Sequence, residues 1–274
     1  MTIPYKAVFI DLDGTLLTRK SEVSERNAAC LRALVAKDVR VVIATGRPIE
    51  SVRKIVGPIH ASDPAITLSG SMIHRTMFGE TLEAQTIAFE TVHNILETCR
   101  ATGGVDNILL DESEGFYALH QSAELEEFIG MYNKHPMSFT YDSVPTAPVL
   151  SILIHSKASR REIYTDLHEK FGDVVHFTYF KEYPWIELSD LKSNKGNAMA
   201  IVCRELGFSM DEVIAIGDGA NDLEMIAAAG LGIAMDNADD EVKAVADRVA
   251  PHHGQDGFAI IMEEIFNLDT PRQQ

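Results

Sequence analysis

The chain has 274 residues, is 46% hydrophobic and carries a formal net charge of −17 at pH 7. That length supports one large domain or two modest ones with a real core. A surface this acidic argues against a nucleic-acid groove or an anionic membrane as the main partner. No apolar run approaches the ~20 residues of a membrane span. The start, MTIPYK, has no basic stretch leading into an apolar one, so no signal peptide is read and a soluble, cytoplasmic protein is expected. Cys30, Cys99 and Cys203 have no neighbouring cysteine to make a CxxC motif. They read as small buried residues in helices, which suits a reducing compartment.

In chain order, residues 6–10 (KAVFI) read as a buried strand that runs directly into Asp11, with Asp13, Gly14 and Thr15 behind it. A helix follows over 24–37, with Ser24 as N-cap and Leu31, Leu34 and Val35 facing inward. Residues 39–45 and 65–70 are the next strands. Far along the chain, 213–218, 230–235 and 247–251 read as strands, separated by helices at about 220–229 and 239–246. Continuous apolar strands alternating with helices indicate a parallel sheet covered on both faces.

The stretch from about 83 to 186 differs. Its strands alternate, a hairpin is expected over 107–120 with its turn at Ser113-Glu114-Gly115, and 151–156, 159–172 and 174–180 read as a β-α-β unit. Glu112, Glu114 and Tyr117 could face a cleft, Trp185 should pack at a domain junction, and the tail 269–274 (DTPRQQ) should fray. The expected fold is therefore α/β: a Rossmann-like parallel-sheet core in two parts, 1–82 and 187–274, with an inserted α+β domain over 83–186.

Three core strands end on polar residues: Asp11; Thr45, followed by Gly46 and Arg47; and Asp218, followed by Gly219, Asn221 and Asp222. In open α/β sheets sites lie beyond the carboxyl ends of the strands. If these strands are neighbours, four carboxylates (Asp11, Asp13, Asp218, Asp222) converge, and like charges that close need a cation. Oxygen-only ligands suit Mg²⁺. Thr45 and Gly46 offer donors to a phosphate, and Lys195, at the start of a helix, adds its charge to the positive end of the dipole. Such a set supports in-line attack of Asp11 on phosphorus, with Asp13 first protonating the leaving alcohol and then deprotonating water. Arg47 could decorate a helix start or join the site. His252 and His253 read as loop residues.

Competing motifs fail. DLDGTLLTRKSE has Leu16 where a calcium loop needs Gly, and it follows a strand. GDGAND lacks the third glycine of a dinucleotide turn and puts Asp218 where a pyrophosphate would sit. GxxxxGK[ST] is absent.

Taken together, DLDGT (11–15), ATGR (44–47), Lys195 in NKG and GDGANDLEM (217–225) resemble, in order, the four motifs of haloacid dehalogenase-like phosphatases. The inserted segment and EVKAVAD (241–247) resemble the Cof-type branch, which carries an α+β cap between its second and third motifs. The resemblance implies Asp11 as nucleophile and Mg²⁺ ligand, Asp13 as acid/base and ligand through its carbonyl, and Asp218 as the third ligand with Asp222 supporting the metal site. It implies phosphate contacts from the Leu12 backbone, Thr45, Gly46, Lys195 and Asn221, with Thr15 bracing the turn; Arg47 is expected beside them as a phosphate- or substrate-binding residue. The sequence departs from the branch at Ser69-Gly70-Ser71, often Asn-Gly-Ala, and at His253, often Asn. Both departures bear on the substrate. The implied activity is hydrolysis of small phosphorylated metabolites such as sugar phosphates by a monomer or small homo-oligomer, with the cap closing over the leaving group. A phosphomutase or a phospho-accepting regulatory module are the alternatives. Asp13 and the long insert favour turnover.

Overall fold

The computed structural model describes residues 5–59, 64–76, 79–113, 115–179 and 184–269. Glu114, position 180 of the expected 174–180 strand, and the tail beyond 269 lie outside them. The chain forms two compact units, Met1–Glu83 with Asn194–Gln274, and Ala84–Ser193.

The first unit holds β1 (Ala7–Ile10), α1 (Glu25–Ala36), β2 (Arg40–Ala44), α2 (Ile49–Val56), β3 (Ala65–Thr67), β4 (Met72–His74) and β5 (Thr81–Ala84). The chain then builds the second unit from α3 (Phe89–Thr102), β6 (Asn107–Glu112), β7 (Gly115–Ala118), α4 (Glu126–Tyr132), β8 (Met137–Ser138), β9 (Ser151–His155), α5 (Arg160–Phe171), β10 (Val175–Tyr179) and β11 (Trp185–Asp190). It completes the first with α6 (Lys195–Leu206), β12 (Val213–Gly217), α7 (Leu223–Ala228), β13 (Leu231–Met235), α8 (Asp240–Val245), β14 (Arg248–Ala250) and α9 (Gly257–Phe266).

In the first unit the strand order is β14-β13-β12-β1-β2-β3-β4-β5. The six strands from β14 to β3 pair in parallel, and β4 turns back antiparallel on β3. Apolar clusters lie on both faces. Val8 and Ile10 face one, with α1 and α9; Ala7 and Phe9 face the other, with α6 and α7. This explains the unbroken apolar runs: each strand is buried on both sides. β1 lies between β2 and β12, so the order reverses beside it, and such switch points open a crevice at the carboxyl ends.

Some expectations change. Ser24 caps α1, its hydroxyl accepting from the Asn27 N–H at 3.1 Å, and Leu31 and Leu34 are buried. Val35, one residue from the helix end, is 47% exposed, and Val39 past the turn joins the core instead. The 65–70 strand stops at Thr67, because Leu68, Ser69 and Gly70 all have positive φ (47°, 52° and 103°). The 220–229 helix is a short turn, Ala220–Asp222, leading into α7.

The second unit is a six-stranded sheet, β10-β11-β9-β6-β7-β8, with its own core facing α3 and α5. The β6–β7 hairpin forms as expected. β9 and β10 do not pair: β11 lies between them, antiparallel to each. Ile186 and Leu188 of β11 complete this unit's core, so the chain returns to the first unit at Asn194, not near 187. Trp185 packs inside the second unit, its ring 5.0 Å from Phe128 and 4.6 Å from His155. Among the described residues, no helix is long and apolar enough to cross a membrane.

Candidate active site

Parallel register brings the strand ends level. Ile10 of β1 pairs with Ile43 of β2 and Ile216 of β12, so Asp11, Thr45 and Asp218 leave the sheet at one edge. After Asp11 the chain makes one wide turn, Leu12–Leu16, closed by the Leu17 N–H on the Leu12 carbonyl at 2.9 Å. Gly14 sits in that turn at φ +74°, and a Cβ there would lie 2.1 Å from Asp218 Oδ2. Only glycine allows both the left-handed backbone and this approach of the turn to the β12 acid.

Lys195 opens α6 and is fully buried. Its Nζ donates to Asp11 Oδ1 at 2.6 Å and to Asp222 Oδ1 at 2.5 Å. The other Asp222 oxygen accepts the backbone N–H groups of Asp218 (2.9 Å) and Gly219 (3.0 Å). Both Asp222 oxygens are therefore occupied, and its first job is to hold the Asp218 loop and Lys195. Asp218 accepts from the Thr15 hydroxyl at 3.1 Å and the Asn237 amide at 3.0 Å.

Among the described residues, carboxylate oxygens of Asp11, Asp218 and Asp222 lie within 4.8 Å of one another. The charge is under-compensated. Burial, then Asp222, push the Asp11 carboxyl well above the usual range, against the pull of Lys195. Burial and Asp222 likewise push Asp218 up to about 7, against the Thr15 hydrogen bond and Lys195. Burial alone would lower the Lys195 ammonium, but Asp11 and Asp222 outweigh it and raise it. One ammonium against two buried carboxylates and a half-buried third leaves room for a cation. An all-oxygen donor set fits Mg²⁺, with Asp11 and Asp218 better able than Asp222 to hold it.

The expected fourth carboxylate does not join. Asp13 turns its half-exposed side chain to Arg47, whose guanidinium grips it with two hydrogen bonds of 2.6 Å. Thr45 is buried, and its hydroxyl oxygen accepts the Arg47 N–H at 3.2 Å. Gly46 passes close to Ser69: a Cβ there would lie 3.3 Å from Ser69 Oγ. Asn221 donates to Ser69 Oγ at 3.2 Å, so Ser69 belongs to this edge. Leu12 is buried at the start of the nucleophile turn.

Sequence reasoning missed Asn237 and named His253 only as a loop residue and a departure from the branch. Asn237 donates to the Gly14 carbonyl (2.8 Å) as well as to Asp218, and its Oδ1 accepts the His253 N–H at 3.1 Å. The signal was available, since Asn237 follows β13 at the same sheet edge. His253 donates from Nδ1 to the Leu17 carbonyl at 2.7 Å, tying the C-terminal loop to the nucleophile turn.

The sequence model described as "haloacid dehalogenase-like hydrolase" matches residues 8–262. The Bacillus subtilis 5-amino-6-(5-phospho-D-ribitylamino)uracil phosphatase YcsE is 30% identical over 94% of this chain and 94% of its own length. An Arabidopsis thaliana protein named "Endoribonuclease YBEY, chloroplastic" is 28% identical over 93% of the chain, but the chain spans only 45% of that protein. The crystal structure of a haloacid dehalogenase-like hydrolase from Bacteroides thetaiotaomicron superposes with a TM-score of 0.81 at 26% identity, covering 96% of this chain and all of the other.

Proposed function

We propose that this chain, which belongs to the haloacid dehalogenase-like hydrolase family, is a phosphatase that releases phosphate from small phosphorylated metabolites by way of Asp11. The observation that carries the reading is the buried Asp11–Lys195–Asp222 bridge beside Asp218 at the switch point of the sheet.

Lys195 and the Asp222-braced loop hold Asp11 at the edge of the sheet. The Asp11 carboxylate attacks phosphorus, and an Asp11–phosphoryl bond forms as the bond to the leaving oxygen breaks. Asp13 gives that oxygen a proton. It then takes one from the water that attacks phosphorus and frees Asp11. Thr45, Gly46, Asn221 and the Leu12 backbone bind the phosphoryl oxygens, and Lys195 offsets their charge. Asp11, Asp218 and the Asp13 carbonyl would hold Mg²⁺, which would supply positive charge to offset the phosphoryl oxygens.

The net charge of −17 argues against a nucleic acid as the substrate and leaves a small phosphorylated metabolite. A cytoplasmic setting fits the three buried free thiols, which pack as small apolar residues.

The test is hydrolysis of p-nitrophenyl phosphate. Turnover should require Mg²⁺, stop with EDTA and be abolished by Asp11→Asn. Full activity of Asp11→Asn would exclude the reading.

A further inference from the structure

Arg47 is committed on several sides. Its Nε donates to Asp13 Oδ2 and its Nη2 to Asp13 Oδ1, both at 2.6 Å, a two-pronged pair. Its Nη1 donates to Ser51 Oγ at 3.1 Å, and Nη2 also reaches Ser21 Oγ at 3.4 Å. The guanidinium side chain is 12% exposed, whereas the Asp13 side chain is 53% exposed. Ser51 is buried on α2, and the Arg47 N–H is anchored on Thr45. The fork is thus fixed by the scaffold, and the carboxylate is fixed by the fork.

A planar fork on a carboxylate sets orientation as well as position, which a lysine cannot do. Without it, a half-exposed Asp13 two residues from Asp11 could swing freely, including toward the three-carboxylate cluster.

We propose that Arg47 is a positioning residue for the second half of the reaction: it holds the Asp13 carboxylate outside the cluster, as the base for the water that attacks the phosphoryl group on Asp11. In that step the water oxygen forms a bond to phosphorus, its proton passes to Asp13, and the Asp11–phosphorus bond breaks to release phosphate. The assignment rests on the phosphatase reading. It differs from a role for Arg47 in binding the incoming phosphate.

Steady-state and acid-quench kinetics on p-nitrophenyl phosphate with Mg²⁺ separate the two roles. If Arg47 serves the second step, Arg47→Ala lowers kcat by about tenfold or more and lowers KM with it. The ratio kcat/KM then stays nearly constant, and phosphorylated protein accumulates. Arg47→Lys keeps the charge but not the fork, so it shows the same pattern more weakly, and it carries the test if the alanine variant does not fold. A rise in KM with a fall in kcat/KM and no accumulation would overturn the proposal and make Arg47 a phosphate ligand. An unmutated protein with no turnover would instead sink the phosphatase reading on which the proposal rests.

Discussion

At Lys195, three charged groups share a space closed to water. The ammonium is fully buried and touches Asp11 and Asp222, both buried. Removing one partner of such a set leaves uncompensated charge, at a cost of about 3–5 kcal/mol. Lys195→Met should therefore lose about that much stability in urea melts at neutral pH in EDTA. The loss should shrink as pH falls and Asp11, whose carboxyl is raised by burial, takes up a proton; an unchanged melt would contradict the bridge. Lys195 was legible in the sequence, because a lysine opening a helix after strand-end acids has a charge-balancing role to fill. The state of Asp222 was not. An acid after a strand reads the same whether its oxygens face a cation or, as here, Lys195 and two backbone N–H groups. Arg47 was ambiguous for a similar reason, since a phosphate and Asp13 are both anions.

At the scale of elements, period and chain order were informative. The parallel strands were visible as apolar runs because both faces of the sheet are covered, and their polar ends fell at one edge because the register is level. Strand order in the second unit was less legible. Insertion of β11 between β9 and β10 is a long-range pairing that no local pattern encodes. The early end of β3 came from three consecutive left-handed residues, of which only Gly70 is a residue type that signals such a backbone.

The same strands hide a charge. Asp111, on the apolar β6, is buried, accepting from Tyr132 of α4 and Ser151 of β9 at 2.6 Å each. Burial pushes its carboxyl up to about 6, against both hydrogen bonds. Between the ordinary value and that one, the folded chain keeps a proton that the unfolded chain has released. Stability therefore falls as pH rises through this window, by up to about 3 kcal/mol. Urea melts of the unmutated protein against Asp111→Asn should show the difference moving against the unmutated protein between about pH 4 and 6. A pH-independent difference would contradict the buried, raised carboxyl.

Over the whole molecule, the site joins parts of the chain that lie far apart. Lys195 and Asp11 are 184 positions apart in the sequence, and Thr15 and Asp218 are 203 apart. The second unit, Ala84–Ser193, occupies much of the intervening chain, with its own sheet and core. The first unit can still bring these residues together because its parallel sheet adds β12 on one side of β1 and β2 on the other. One turn, Leu12–Leu16, then meets Asp218, Asn237 and the His253 loop. The central claim is that Asp11 carries the phosphoryl group between substrate and water. The most direct test is to quench the full-length Asp13→Asn protein with acid during turnover of a labelled phosphomonoester, then map the label by peptide mass analysis. The expected result is one phosphoryl group on Asp11, formed with Mg²⁺ and absent in Asp11→Asn. Hydrolysis by the unmutated protein with no label on Asp11 in either protein, or with the label on another residue, would contradict the claim.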